Sequence, residues 1–117
     1  MLRSTLLLCL LSVTLSANAT SLPKDAGLAE VEALGQFNGV ALACDFIETS
    51  NHIKTVIIQY APKSRRYGAA FEEATHNAFL DQTKKDPTTC PDGPTLNEQV
   101  DIATRHLQTA LHVSVKP

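Results

Sequence analysis

The apolar side chains of this chain recur at intervals of three and four along most of its length, the period of a helix with one buried face. The most regular stretch lies near the carboxyl end, where Leu96, Val100, Ala103, Leu107 and Ala110 follow one another in that pattern. It is preceded by Thr95-Leu96-Asn97-Glu98, a capping box in which the Thr and Glu side chains satisfy free backbone N–H groups of the first turn reciprocally. A helix opening at Thr95 is therefore predicted. A second stretch, residues 64–82, carries Tyr67, Phe71, Ala74, Ala78 and either Phe79 or Gln82 along one side. A third, residues 51–60, places Ile53, Val56, Ile57 and Tyr60 on one helical face, although its β-branched residues also suit a strand. Ser50 or Asn51 is the expected N-cap there, and Pro62 ends the segment by restricting Ala61 to extended geometry.

The stretch 25–44 sets Leu28, Val31, Leu34 and Leu42 near one face, with Asp25, Glu30 and Glu32 early, where the helix dipole favours negative charge. Gly35, Gly39 and Ala43 fall four residues apart on another stripe and would admit a neighbouring helix at close range. Asn38-Gly39 is also a turn dipeptide, so a continuous or kinked helix competes here with a break, and we favour the helix. Residues 84–94 hold three prolines, Gly93 and Cys90 and read as a loop. Residues 113–117 are expected to fray.

The amino terminus is different in kind. Arg3 forms a short basic head, residues 6–15 a largely apolar core, and Ala17-Asn18-Ala19 an Ala-x-Ala ending, the three parts of a secretory signal peptide. The core is about half the ~20 residues that a membrane-spanning helix needs. Residues 1–19 are thus read as a leader cleaved after Ala19, and 20–117 as a single helical domain with no transmembrane anchor after cleavage. Cys9 lies inside the apolar core behind the bulky Leu8, which does not fit lipoprotein processing. Of the three cysteines only Cys44 and Cys90 survive removal of the leader, and an even pair in an exported chain predicts one disulfide. A metal site at these two thiolates lacks His partners at finger spacing.

Composition narrows the function. The 117 residues are 44% hydrophobic and 19% charged, within the size of one compact domain. The formal charge of −2 becomes −3 once Arg3 leaves with the leader, so no excess of cations is present for a phosphate backbone, and nucleic acid is not an expected partner. There is no Gly-x-Ser-x-Gly elbow, no glycine-rich phosphate loop and no Cys-x-x-Cys-His, so neither catalysis nor a cofactor is expected. Glu72, Glu73 and His76 sit three and four apart, which supplies half of a bundle-type di-metal site; the second half is missing, and an ordinary charged face is the simpler reading. Lys63, Arg65 and Arg66 cluster at the start of the 64–82 helix, where the dipole disfavours cations. They form either a solvated cluster with a local ion pair or a site for an acidic partner or an anionic envelope component. Tyr60 and Tyr67 flank that cluster and either pack in the core or line a groove.

The expected fold is all-α, a small bundle of about four helices stapled by Cys44 and Cys90. In outline, through its export leader, its two cysteines 46 residues apart and its short helices, the chain is similar to small periplasmic acid-stress chaperones; no functional residue follows from that likeness. The sequence thus leads to a periplasmic or secreted, non-catalytic binding or accessory protein that acts through a surface, most simply on another exported protein. An acid-stress chaperone and a metal-binding protein are the alternatives.

Overall fold

The computed structural model describes residues 24–112; the leader, its cleavage point at Ala19 and residues 113–117 lie outside the described residues. Four α-helices appear, α1 (Leu28–Ala43), α2 (Ile47–Tyr60), α3 (Arg65–Thr83) and α4 (Gly93–His112), with a 3-10 turn, Pro87–Thr89, between the last two. There is no strand among the described residues, and the all-α expectation holds. Residues 51–60 are helical, their β-branched side chains notwithstanding.

Helix α1 is the hub. It packs against all three other helices, whereas α3 packs chiefly on α1. Helices α2 and α4 also touch each other, so the arrangement is a three-helix group of α1, α2 and α4 with α3 laid along the far side of α1. This explains why α1 has almost no amphipathic stripe while α4, with one buried face, has the strongest. The core is built from Val31 and Leu34 of α1, Ile53 and Val56 of α2, and Val100, Ala103 and Leu107 of α4, with Ala61 and Tyr67 beside them. Burying such side chains stabilises the fold by about 1.5–3 kcal/mol for each large one.

The α1–α3 contact has a different chemistry. A Cβ placed on Gly35 would lie 2.7 Å from the Phe71 carbonyl oxygen and 2.8 Å from Ala74 Cβ. One placed on Gly39 would lie 2.7 Å from both Ala78 Cβ and Phe79 N. The two glycines thus let the backbone of α3 rest directly on α1, and the turn reading of Asn38-Gly39 gives way to an unbroken helix. The contacts advance together along both chains, and Tyr67 donates its hydroxyl to the Ala26 carbonyl at 2.8 Å at the near end, so α1 and α3 run parallel.

One polar ladder crosses this seam. Ser50 of α2 donates to Asn38 Oδ1 at 2.7 Å, and Asn38 Nδ2 donates to Thr75 Oγ1 of α3 at 3.2 Å. Asn38 and Ser50 are both buried, and unpaired polar groups there would cost about 1–3 kcal/mol each. Ser50 is therefore an interior tether and not the N-cap anticipated for α2, which begins four residues earlier at Ile47 with Phe46 before it. Helix α1 ends in a Schellman motif: Asp45 takes φ 62°, its N–H reaches the Leu42 carbonyl at 3.4 Å, and the Phe46 N–H reaches the Ala41 carbonyl at 2.8 Å.

The disulfide joins Cys44, at the C-cap of α1, to Cys90, just past the 3-10 turn, with an S–S distance of 2.02 Å. It closes a loop that contains all of α2 and α3, worth roughly 4 kcal/mol in the chain-entropy account. The Gln82 side chain, buried in the last turn of α3, holds the same loop by donating to Thr89 Oγ1 at 3.1 Å. Asp86 accepts from Thr88 N at 2.9 Å, and Asp92 accepts from Thr95 N at 3.2 Å and from the Thr95 hydroxyl at 2.6 Å. Helix α4 accordingly opens at Gly93, two residues before the predicted start, and Asp92 caps it. Thr95 is a partner of the cap and not the cap itself, because the Asp92 carboxylate accepts hydrogen bonds from both its N–H and its hydroxyl.

Two expectations follow. Gly39→Ala is expected to lower stability by about 3 kcal/mol, overpacking outweighing the helix propensity it adds. Gly68→Ala, on α3 with nothing within 4 Å of the new Cβ, should raise it by about 0.5–1 kcal/mol; denaturant titration of both variants checks the contrast. The Asp92 carboxyl is held below its ordinary value of 3.8, chiefly by the Thr95 hydroxyl and then by the Thr95 N–H. A depressed folded-state pKa stabilises above the unfolded value and is lost as pH falls through the folded one. The stability gap between the native chain and Asp92→Asn should therefore be full near neutrality and shrink below about pH 4; a gap constant across melts at several pH values would contradict this.

Candidate interaction surface

Because α3 leans chiefly on α1, the two helices leave an open seam between them. This seam is a groove of about 730 Å³. Helix α1 contributes Leu28, Glu32, Gln36 and Val40, one residue per turn. The matching face of α3 supplies a run of small side chains, Ala69, Ala70, Ala74 and Ala78. Polar groups flank them: Arg66 at the first turn of α3, then Glu73, Asn77 and Asp81, with Lys85 just beyond its end. The backbone approach at Gly35 and Gly39 makes the floor shallow and long, since the alanines that touch α1 from one side face the groove from the other.

The structure separates the sequence-derived residues. Of the basic cluster, Arg66 enters the groove and its Nε stands 3.0 Å from Asp25 Oδ1, an ion pair in which both side chains remain about half exposed. That pair supplies the compensation that a cation at a helix start requires. Lys63 turns back to the Ile58 carbonyl at the end of α2, and Arg65 is exposed outside the groove. The three cations therefore do not converge on one anion site. Tyr67 is buried with its hydroxyl engaged, and Tyr60 is half-buried against the core cluster, so both belong to the interior and not to a groove. The groove that does exist is lined by Ala69, Ala70, Ala74 and Ala78, of which sequence spacing set only Ala74 and Ala78 on one side of the helix with Tyr67 and Phe71.

Glu72, Glu73 and His76 are exposed, and only Glu73 lines the groove. Among the described residues no group of three or more His, Cys, Asp or Glu side chains is placed to hold a metal ion. His52 lies 3.9 Å from Asp101 on the opposite side, a solvent-exposed contact between α2 and α4, and such pairs add little. Every buried side-chain nitrogen and oxygen among the described residues has a hydrogen-bond partner. The interior polar groups thus serve the fold, and the chemistry available to a ligand is on the surface. A comparison with protein-family models, with curated proteins and with solved structures returned no match.

Proposed function

We propose that the chain is a small exported, non-catalytic binding or accessory protein that works by holding another exported protein chain in the α1–α3 groove. The observation that carries this reading is the groove itself: a long floor of alanines, Leu28 and Val40, bordered by side chains of both signs. Alternating an apolar floor with a charged rim suits a helical or helix-bearing partner, with burial on the floor and orientation from the rim. Export is supported by the leader-like amino terminus and by a Cys44–Cys90 bridge of the kind that persists in oxidising compartments. Among the described residues no helix is long and apolar enough to cross a membrane.

Photocrosslinking tests the proposal in the full chain within the exporting cell. A photoreactive amino acid at Asn77, exposed in the groove, is expected to trap a second protein chain, and the same group at Thr109 on α4, outside the groove, is not. The chain carrying the photoreactive group should itself begin at Thr20 with Cys44 and Cys90 oxidised. No adduct at Asn77, equal adducts at both positions, or a photoreactive chain with its leader attached and both thiols free would overturn the reading.

A further inference from the structure

We infer that the Cys44–Cys90 bridge is a redox gate on the groove. Its reduction by a dithiol unfastens the last turn of α3 and takes the groove's far end away from the bound partner, so the gate rests on the reading of the groove as a binding surface and supplies its regulation.

Little else holds that end of α3. Up to Ala78 the helix is seated on α1 by Gly35 and Gly39, by the Asn38–Thr75 bond and by the buried Tyr67. Beyond Ala78 the support changes. Phe79 and Leu80 are 37% and 39% exposed, Asp81 and Thr83 are exposed, and Gln82 is the one buried side chain. Its Nε2 donates to Thr89 Oγ1 at 3.1 Å and lies 3.7 Å from Cys90 Sγ, so both of its partners belong to the loop that follows the helix. That loop is exposed from Lys84 to Thr89. Among the described residues no hydrogen bond or ion pair joins residues 84–91 to α1 or α2, and the bridge to Cys44 is the one bond that does. Order thus passes from the α1 C-cap through sulfur to Cys90 and Thr89, and from there to Gln82.

The groove shares that dependence. Asp81, Gln82 and Lys85 line its far end, beyond the stretch that the glycines seat. Once the bridge opens, the loop is free to leave and the Gln82 amide meets water in place of Thr89. The last turn of α3 then frays back toward Ala78, since a terminal turn without tertiary contacts is marginal. Helix α4 keeps its place, because Leu96 is buried and Thr49 Oγ1 donates to Asn97 Oδ1 at 2.7 Å. The change is confined to one end of the groove. Cys44 and Cys90 are half-buried and not interior, so a dithiol can approach the bridge. One thiolate of the dithiol attacks a bridge sulfur, breaks the S–S bond and forms a mixed disulfide; the second thiolate closes the dithiol into its own disulfide and releases the remaining cysteine. Two electrons and two protons pass to Cys44 and Cys90, which end as thiols.

The test uses the processed, isotope-labelled chain. On reduction with dithiothreitol the Cα chemical shifts of residues 79–83 should move toward random-coil values, while those of residues 28–43, 47–60, 65–78 and 96–112 stay helical. Gln82→Ala with the bridge intact should move the same residues, and reducing that variant should move them little further, because one chain of contacts is cut twice. In the exporting cell, the photoreactive group at Asn77 should give about five-fold less adduct once dithiothreitol has opened the bridge. The gate is overturned by unmoved shifts at 79–83, by loss of helical shifts across all four helices together, by a Gln82→Ala chain whose last turn stays helical, or by an adduct equal in both redox states. An adduct in the oxidised chain with the end of α3 unmoved leaves the groove as a binding surface and removes the gate. No adduct in either state removes the binding surface and, with it, the gate's effect on binding.

Discussion

Backbone rests on backbone where α1 meets α3. Gly35 and Gly39 have no side chain to hold the helices apart, and the carbonyl of Phe71 and the methyl groups of Ala74 and Ala78 occupy the space their side chains would need. The consequences run through the molecule. A helix approached this closely from one side and packed on α2 and α4 from the other must be small or apolar around most of its circumference, which is the composition of α1. The same closeness brings Thr75 within reach of Asn38, so one buried amide ties α1 to α3 and, through Ser50, to α2. A bulkier seam would separate these groups and leave buried polar atoms without partners, each a penalty of about 1–3 kcal/mol against a net stability of about 5–15 kcal/mol.

The disulfide complements that contact rather than duplicating it. Glycines and alanines contribute little apolar area, so α3 gains less from burial than α2 or α4; only Tyr67 and Gln82 of its residues are buried. Covalent closure from the end of α1 to the loop beyond α3, together with the Gln82 bond to Thr89, confines α3 at its far end. Tyr67 and the Arg66–Asp25 pair confine it at the near end. An outer helix held at both ends and seated on glycines can leave its other face open, and that is where the groove forms.

Much of this architecture is legible in the residues themselves. The three-and-four spacing located α1, α3 and α4 and left residues 51–60 open between helix and strand, the even cysteine pair foretold the bridge, and the glycine stripe marked α1 as a place of close approach. The errors share a cause: local patterns have several solutions that only tertiary placement decides. Thr95-Leu96-Asn97-Glu98 satisfies the capping-box pattern, yet Asp92 reaches the Thr95 N–H and starts the helix earlier. Ser50 suits an N-cap but is drawn into the core by Asn38. Lys63, Arg65 and Arg66 are a different case: of the two readings the sequence left open, the solvated cluster with a local ion pair fits, since all three are exposed and Arg66 pairs with Asp25. The groove was hidden because Ala74 and Ala78 share a helical side with Tyr67 and Phe71, and Ala69 and Ala70 carry no signal of their own. They line a surface here since α3 has a neighbour on one side only, a fact that no window of the sequence contains.

The contact that fixes α3 also shapes the open groove between α1 and α3, so the proposed function depends on how α3 is seated. Native-state hydrogen exchange on the native chain and on Gly39→Ala tests that dependence most directly. In the native chain the amides of α3 from Phe71 to Ala78 should exchange as slowly as those of α1 from Val31 to Ala41. In Gly39→Ala the α3 amides should exchange much faster than the amides of α2 and α4. Slow exchange of α3 that survives the substitution, or acceleration spread evenly over all four helices, would contradict the central place given to the glycine seam.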